Sequence, residues 1–247
     1  MDNTINTHYN LTAEDVAFCE EKHEELRETA EFYLSIRAFV IDNEPGTSYS
    51  TNCSLKIEPD HYLRMKGQAE RKFADDLGRY FENVYGMPLR IGYRKLIGDH
   101  QIIPRSGDLL SIEDVLQIIS EHCDGATDFM RYSIMYHLKR FKRTVTYEND
   151  PSAMRLKKSV VQVQNIAWSA DTLFHVLCLF ESGRPVKLPA FGKVPDPRRL
   201  NGEAGSWIAL EGLQKVEAVR MFKNSRVDVR FHDAVTAGKF YRQYCNV

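Results

Sequence analysis

Few side chains of this 247-residue chain are grouped in a way that suggests a reaction or a ligand. Eight histidines are present: His8, His23, His61, His100, His122, His137, His175 and His232. None stands in H-x-x-x-H or H-E-x-x-H, the spacings that put two imidazoles on one helix face. His122 and Cys123 are adjacent and would point about 100° apart on a helix. The sequence therefore implies no metal and no cofactor. A richer stretch combines cations and rings: Arg131, Tyr132, Tyr136, His137, Lys139, Arg140, Phe141, Lys142 and Arg143, followed by Arg155, Lys157 and Lys158. On a helix, Arg131, Lys139 and Lys142 share a side with Met135, while Ile134, Leu138 and Phe141 turn to a core. Cations beside exposed rings suit phosphates and unstacked bases. The competing reading is an amphipathic helix that carries cations in its last turn because the helix dipole favours them there.

Pro59-Asp60 and Glu70-Arg71-Lys72 spell the PD…E-x-K string of a large nuclease superfamily, whose carboxylates hold Mg²⁺. That family's E-x-K lies on an apolar strand. Here it lies in KGQAERKFADDLGRY, of helical composition and period, so a solvated helix face is expected instead. No G-x-x-x-x-G-K-[ST], G-x-G-x-x-G or G-x-S-x-G occurs, and neither does the Asn/Asp-Pro-Pro-aromatic string of amino-methylating DNA methyltransferases. Catalytic residues are not identified, and whether the chain is an enzyme is left open.

Hydrophobic period, caps and breakers predict the secondary structure that carries these residues. Residues 1–10 are polar and read as a flexible N-terminus. Thr12 and Asp15 resemble a capping box, and Cys19, His23, Leu26, Ala30, Tyr33 and Val40 then form one stripe of a long helix with Glu20, Glu21, Glu24, Glu25, Glu28 and Glu31 outside. Residues 42–57 read as a loop. A second helix runs from Pro59-Asp60 to Tyr85, with Phe73, Leu77 and Phe81 inward, and stops at Gly86 and Pro88. Residues 89–97 read as a strand, and Ser111 with Asp114 caps a helix ending near Cys123. Another helix spans about Thr127 to Arg143, with a strand at 144–148 and a short helix opening at Asp150-Pro151. Residues 159–166 are β-rich, and Asp171–Phe180 is an apolar helix stopped by Gly183. Prolines and glycines make 184–206 a long loop. Lys215–Phe222 and Val227–Phe231 form a hairpin, closed by a helix over Ala234–Tyr244. The predicted class is α+β, helix-dominated, with small antiparallel strands and a C-terminal β-hairpin–helix unit. Its regions are 1–10, a mainly helical 11–183, the loop 184–206, and 207–247.

Charge is layered along the chain. Net charge is −9 over residues 1–60, −2 over 61–130, +8 over 131–200 and +2 over 201–247, giving −1 in all. A +8 block points to a polyanionic partner, or to an acidic N-terminal block folding against it. The five cysteines are widely spaced and include no C-x-x-C pair, so neither a disulfide framework nor a cysteine zinc site is expected. Met1-Asp2-Asn3-Thr4 has no secretory character, and no run reaches the roughly 18 apolar residues of a membrane helix. A cytoplasmic protein with no membrane partner is expected.

Glu217–Asn224 (EAVRMFKN) and Val227–Phe231 (VDVRF), with Thr172–Phe180 (TLFHVLCLF) before them, resemble an uncharacterised domain of phages, plasmids and integrative elements often found beside adenine-specific DNA methyltransferases. The likeness covers about 70 residues and departs at Ser225, where glycine is usual, and at Asp228, where histidine is common. It implies a setting, a mobile genetic element, and transfers no activity. The reading is a non-enzymatic accessory protein that contacts DNA, RNA or a nucleic-acid-handling protein through Arg131, Tyr132, Tyr136, Lys139, Arg140, Lys142, Arg143, Arg155, Lys157 and Lys158. The alternatives are an enzyme acting on nucleic acid or nucleotides, with its site under the 184–205 loop, and an acidic protein that inhibits a host factor through its first helix.

Overall fold

The computed structural model describes residues 8–42, 59–87, 89, 109–146, 154–164, 170–195, 205–224 and 226–245. They form a helix-dominated α+β protein with one small antiparallel sheet, as the sequence predicts. The chain divides into two compact units. One comprises residues 1–82 and 88–129, the other 83–87 and 130–247.

The first unit is helical. Helix α1 (Ala13–Asp42) starts at the predicted capping box: Thr12 N and Oγ1 each donate to Asp15 Oδ2 at 2.7 Å, and Asp15 N donates back to Thr12 Oγ1 at 3.2 Å. Asp15 also accepts from Tyr80 Oη at 3.0 Å, which locks α2 (Pro59–Tyr85) to that cap; burial and this bond push the Tyr80 hydroxyl up to about 12. Cys19, Leu26 and Ala30 bury the inner stripe of α1, and its six outer glutamates are exposed. Helix α3 (Ile112–His122) begins at the Ser111–Asp114 capping box and buries Val115, Leu116 and Ile119.

The second unit is a sheet with helices on one face. Helix α4 (Phe129–Thr146) leads to β1 (Met154–Lys157) and β2 (Val160–Val163). Helix α5 (Ala170–Ser182) and the short α6 (Pro189–Gly192) precede β3 (Ile208–Ala209), β4 (Val216–Met221) and β5 (Val227–Phe231). Helix α7 (Ala234–Phe240), capped by Asp233, runs into a π-helical turn over Tyr241–Cys245. The strands are ordered β1-β2-β5-β4-β3, all antiparallel. Val161, Val163, Val216, Val219, Met221, Val227, Val229 and Phe231 supply the sheet's half of the core. Leu173, Leu177, Phe240 and Phe141 supply part of the helices' half. Gly183, at φ +78°, ends α5 where a side chain would be strained. Just before it, the Glu181 carboxylate accepts from the backbone N–H groups of Gln214, Lys215 and Val216. Lys215 Nζ donates back to the Phe180 and Glu181 carbonyls, so the end of α5 and the start of β4 are tied reciprocally.

Three elements differ from expectation. Thr144–Thr146 continue α4 instead of starting a strand: Thr144 Oγ1 donates to the Arg140 carbonyl at 2.9 Å, and the local preference of a β-branched run is weak enough for the helix to override. Met154–Lys157 is a strand, paired to β2 through a two-residue turn with Lys158 at φ +54°. The 184–206 stretch contains α6, whose Phe191 is fully buried. The expected loop at 42–57, the strand at 89–97 and the helix start at Asp150-Pro151 lie outside the described residues, apart from Asp42 at the end of α1 and the buried Leu89. Among the described residues no helix is long and apolar enough to cross a membrane.

Candidate nucleic-acid interface

Strand pleating decides which side chains share a surface, because alternate residues point to opposite faces. In β5, Val227, Val229 and Phe231 enter the core, so Asp228 and Arg230 must point away from it. Register then aligns a row across the sheet: Arg155 pairs with Gln162, Gln162 with Asp228, and Asp228 with Arg220. Trp207, one residue before Ile208, extends the row beside Arg220, since Ile208 pairs with Val219. A second row holds Lys157, Val160, Arg230 and Ala218. The face away from the core is therefore cationic and aromatic.

Its organising group is Asp228, which is 0% exposed. Arg220 reaches Oδ2 through Nε at 2.9 Å and Nη2 at 2.7 Å, and Gln162 Nε2 donates to the same oxygen at 3.3 Å. Arg226 Nε lies 3.1 Å from Oδ1 as an ion pair, without the alignment of a hydrogen bond. Arg230 Nη2 pairs with Glu217 at 2.8 Å, while its buried Nε has no hydrogen-bond partner among the described residues. The guanidinium groups lie against rings. Arg220 and Arg230 are 4.4 Å and 4.5 Å from the Trp207 ring centre, and Arg226 and Arg220 are 3.8 Å and 5.1 Å from that of Phe222. The carboxylates fix the arginines, and the arginines and rings fix one another, so the surface is pre-organised. Among the described residues of this face, five cations (Arg155, Lys157, Arg220, Arg226, Arg230) meet two carboxylates (Glu217, Asp228), an excess of three positive charges.

The residues singled out from the sequence fall on two surfaces of this unit. Arg131, Lys139, Lys142 and Arg143 are exposed along α4, and Tyr132, Tyr136 and Arg140 are half-buried. Arg140 Nη1 donates to Tyr136 Oη at 3.4 Å, and the Tyr132 and Tyr136 ring centres are 6.2 Å apart. Ile134, Leu138 and Phe141 of α4 pack into the core on the helical side of the sheet. Arg155 and Lys157 are exposed on the opposite side, with Lys158 exposed in the turn after them. Trp207, Arg220, Phe222, Arg226 and Arg230 escaped the sequence reading. The alternation V-D-V-R-F, which puts Asp228 and Arg230 off the core face, could have found Arg230; the other four are gathered only by strand pairing.

Other chemically capable groups are used structurally. His137 is 3% exposed, and its ring stacks on His175 at 4.1 Å. His137 Nε2 donates to the Gly86 carbonyl at 2.7 Å and His175 Nδ1 to that of Pro185, which ties the α2 end, α4, α5 and the turn after α5. Gly86, at φ +65°, is needed there, since a Cβ would lie 2.8 Å from the Pro185 oxygen. Burial holds His137 down to about 4, and holds His175 below its ordinary value. Burial also pushes the thiols of Cys19, Cys123 and Cys245 up to about 12 and Cys178 to about 11, which makes all four poor nucleophiles. The acid–lysine string is helical as expected, but Glu70 corrects the expected solvated face. It is 1% exposed, 3.9 Å from Lys66 Nζ, and accepts from Leu110 N at 3.2 Å. Burial raises its carboxyl above the usual range. Lys72 is exposed and pairs with Asp76, while the side chain of Asp60 lies outside the described residues. No group of three metal-ligating side chains occurs among the described residues. No protein-family model, curated protein or solved structure matches the chain.

Proposed function

We propose that this chain is a nucleic-acid-binding accessory protein, and that it binds through the outward face of its five-stranded sheet. The observation that supports this most is the Arg220–Trp207–Arg230 cluster held over a buried Asp228, beside the exposed Arg155 and Lys157. Rings and guanidinium planes offer stacking surfaces to bases, and the excess cations offer contacts to phosphates. Among the described residues the helices pack on one face of the antiparallel sheet, and the other face carries this cluster. A cytoplasmic role in a mobile genetic element is the setting suggested by the resemblance of the β4–β5 hairpin and α5. The test is fluorescence anisotropy with labelled oligonucleotides. The double variant Arg155→Glu/Lys157→Glu should lose at least about tenfold in affinity, because it replaces two phosphate contacts with repulsion. Unchanged affinity in that variant would remove this face from consideration.

A further inference from the structure

Resting on that reading, we infer that the nucleic acid bound by the outward sheet face is single-stranded, held chiefly by bases stacked on the Trp207 and Phe222 clusters. A duplex hides the faces of its bases and offers phosphates, so a duplex binder needs many uncompensated cations. Here Arg220 and Arg226 share Asp228, and Arg230 is paired with Glu217. Three excess charges remain across the whole face, about half or fewer of the 6–10 phosphate contacts of a strongly salt-dependent duplex binder. What the face offers instead is flat surface. Trp207 is half-buried with two guanidinium groups against it, Phe222 is half-buried with two more contacts of the same kind, and the row continues through Gln162 to Arg155. Unpaired bases can stack on a ring or on a guanidinium plane, and Gln162 can donate to a base edge.

The experiment uses the full chain with fluorescein-labelled dT and rU strands of about 15 nucleotides, and a duplex hairpin with a stem of similar length. The single strands should bind at least about tenfold more tightly than the duplex. The slope of log K against log salt should be near −2, from about three phosphates at about 0.7 each for single strands. Trp207→Ala should weaken single-strand binding about 5- to 100-fold, the effect of losing one stacked base. Trp207→Phe should stay within about threefold of the parent, and its thermal unfolding reports whether the fold is retained. Duplex binding as tight as single-strand binding, a slope steeper than about −5, or full affinity in Trp207→Ala overturns the single-strand inference while leaving nucleic-acid binding intact. If no oligonucleotide binds even at low salt, both the inference and the reading beneath it fall.

Discussion

On one face of the sheet Val161, Val163, Val219, Val229 and Phe231 are closed off from solvent beneath α5 and α7, whereas on the other Arg220, Arg226 and Arg230 keep 28%, 29% and 34% of their side chains exposed. The first face is held by area and shape, the second by geometry between charges. Apolar packing is non-directional and stabilises in proportion to the area hidden. Ion pairs at partly exposed sites contribute little net stability, but they fix side-chain positions. The two faces therefore separate what stabilises this unit from what the proposed binding would use. The core face should respond to mutation through folding, and the outer face mainly through binding.

The largest effect should come from the core face. Phe231 is 0% exposed, with its ring 5.2 Å from Phe240 and 5.9 Å from Phe180. Phe231→Ala should destabilise the protein by about 3–5 kcal/mol, read as a lower urea midpoint. The folded fraction should still bind oligonucleotide with parental affinity. A shift below about 1 kcal/mol would mean the two faces do not differ as described.

Asp228 is the exception that sharpens the contrast, because it faces outward yet is fully buried. Asp228→Ala strands Arg220 and Arg226 without their carboxylate. Breaking one side of a buried pair costs about 3–5 kcal/mol. Both arginines reach solvent, so about 2–3 kcal/mol is expected. The variant also raises the excess charge by one, and its salt slope should steepen by about 0.7. Lost stability with an unchanged slope would make Asp228 purely structural.

The stacked histidines of α4 and α5 give a pH test. Burial lowers both, His137 to about 4 from its ordinary 6.5. The unfolded chain binds a proton near pH 6.5 while folded His137 does not until about pH 4. The stability it contributes is therefore complete above pH 6.5 and is lost as pH falls towards 4. His137→Gln keeps a donor for the Gly86 carbonyl but cannot titrate. The parent should lose about 2 kcal/mol more than this variant between pH 7 and pH 4.5, by denaturant titration at each pH. Parallel curves for the two proteins would contradict the assignment.

Much of the scaffold was legible because its signals are local. The Thr12–Asp15 and Ser111–Asp114 boxes, the Gly183 stop and the β4–β5 hairpin are each specified within a few residues. The candidate interface was only partly legible. Arg155, Gln162, Trp207, Arg220 and Asp228 come from five segments, and only strand order places them in one row. The burial of Glu70 is not visible in sequence for a related reason: its partner Leu110 N lies 40 residues away, and no helical period announces it. The cations and rings of 131–143 stand out because they cluster in sequence, which says nothing about the face opposite.

The smallest effect is expected on α4, and it decides between the two cationic surfaces of this unit. Lys139, Lys142 and Arg143 are exposed, off the Ile134–Leu138–Phe141 stripe. Lys139→Glu/Lys142→Glu/Arg143→Glu should change stability by no more than about 1 kcal/mol, most of it from losing a cation in the last turns of the helix. The triple variant alters net charge by six units, so some loss of affinity through the long-range field is unavoidable. At about 0.15 M salt the screening length is about 8 Å, less than the separation of the two sides of a sheet–helix sandwich. Affinity for the single strand should then fall less than about threefold at that salt, against at least tenfold for Arg155→Glu/Lys157→Glu. The opposite ranking would move the interface to α4, and the ordered arginine–aromatic row would then be a device for holding the open face of the sheet together.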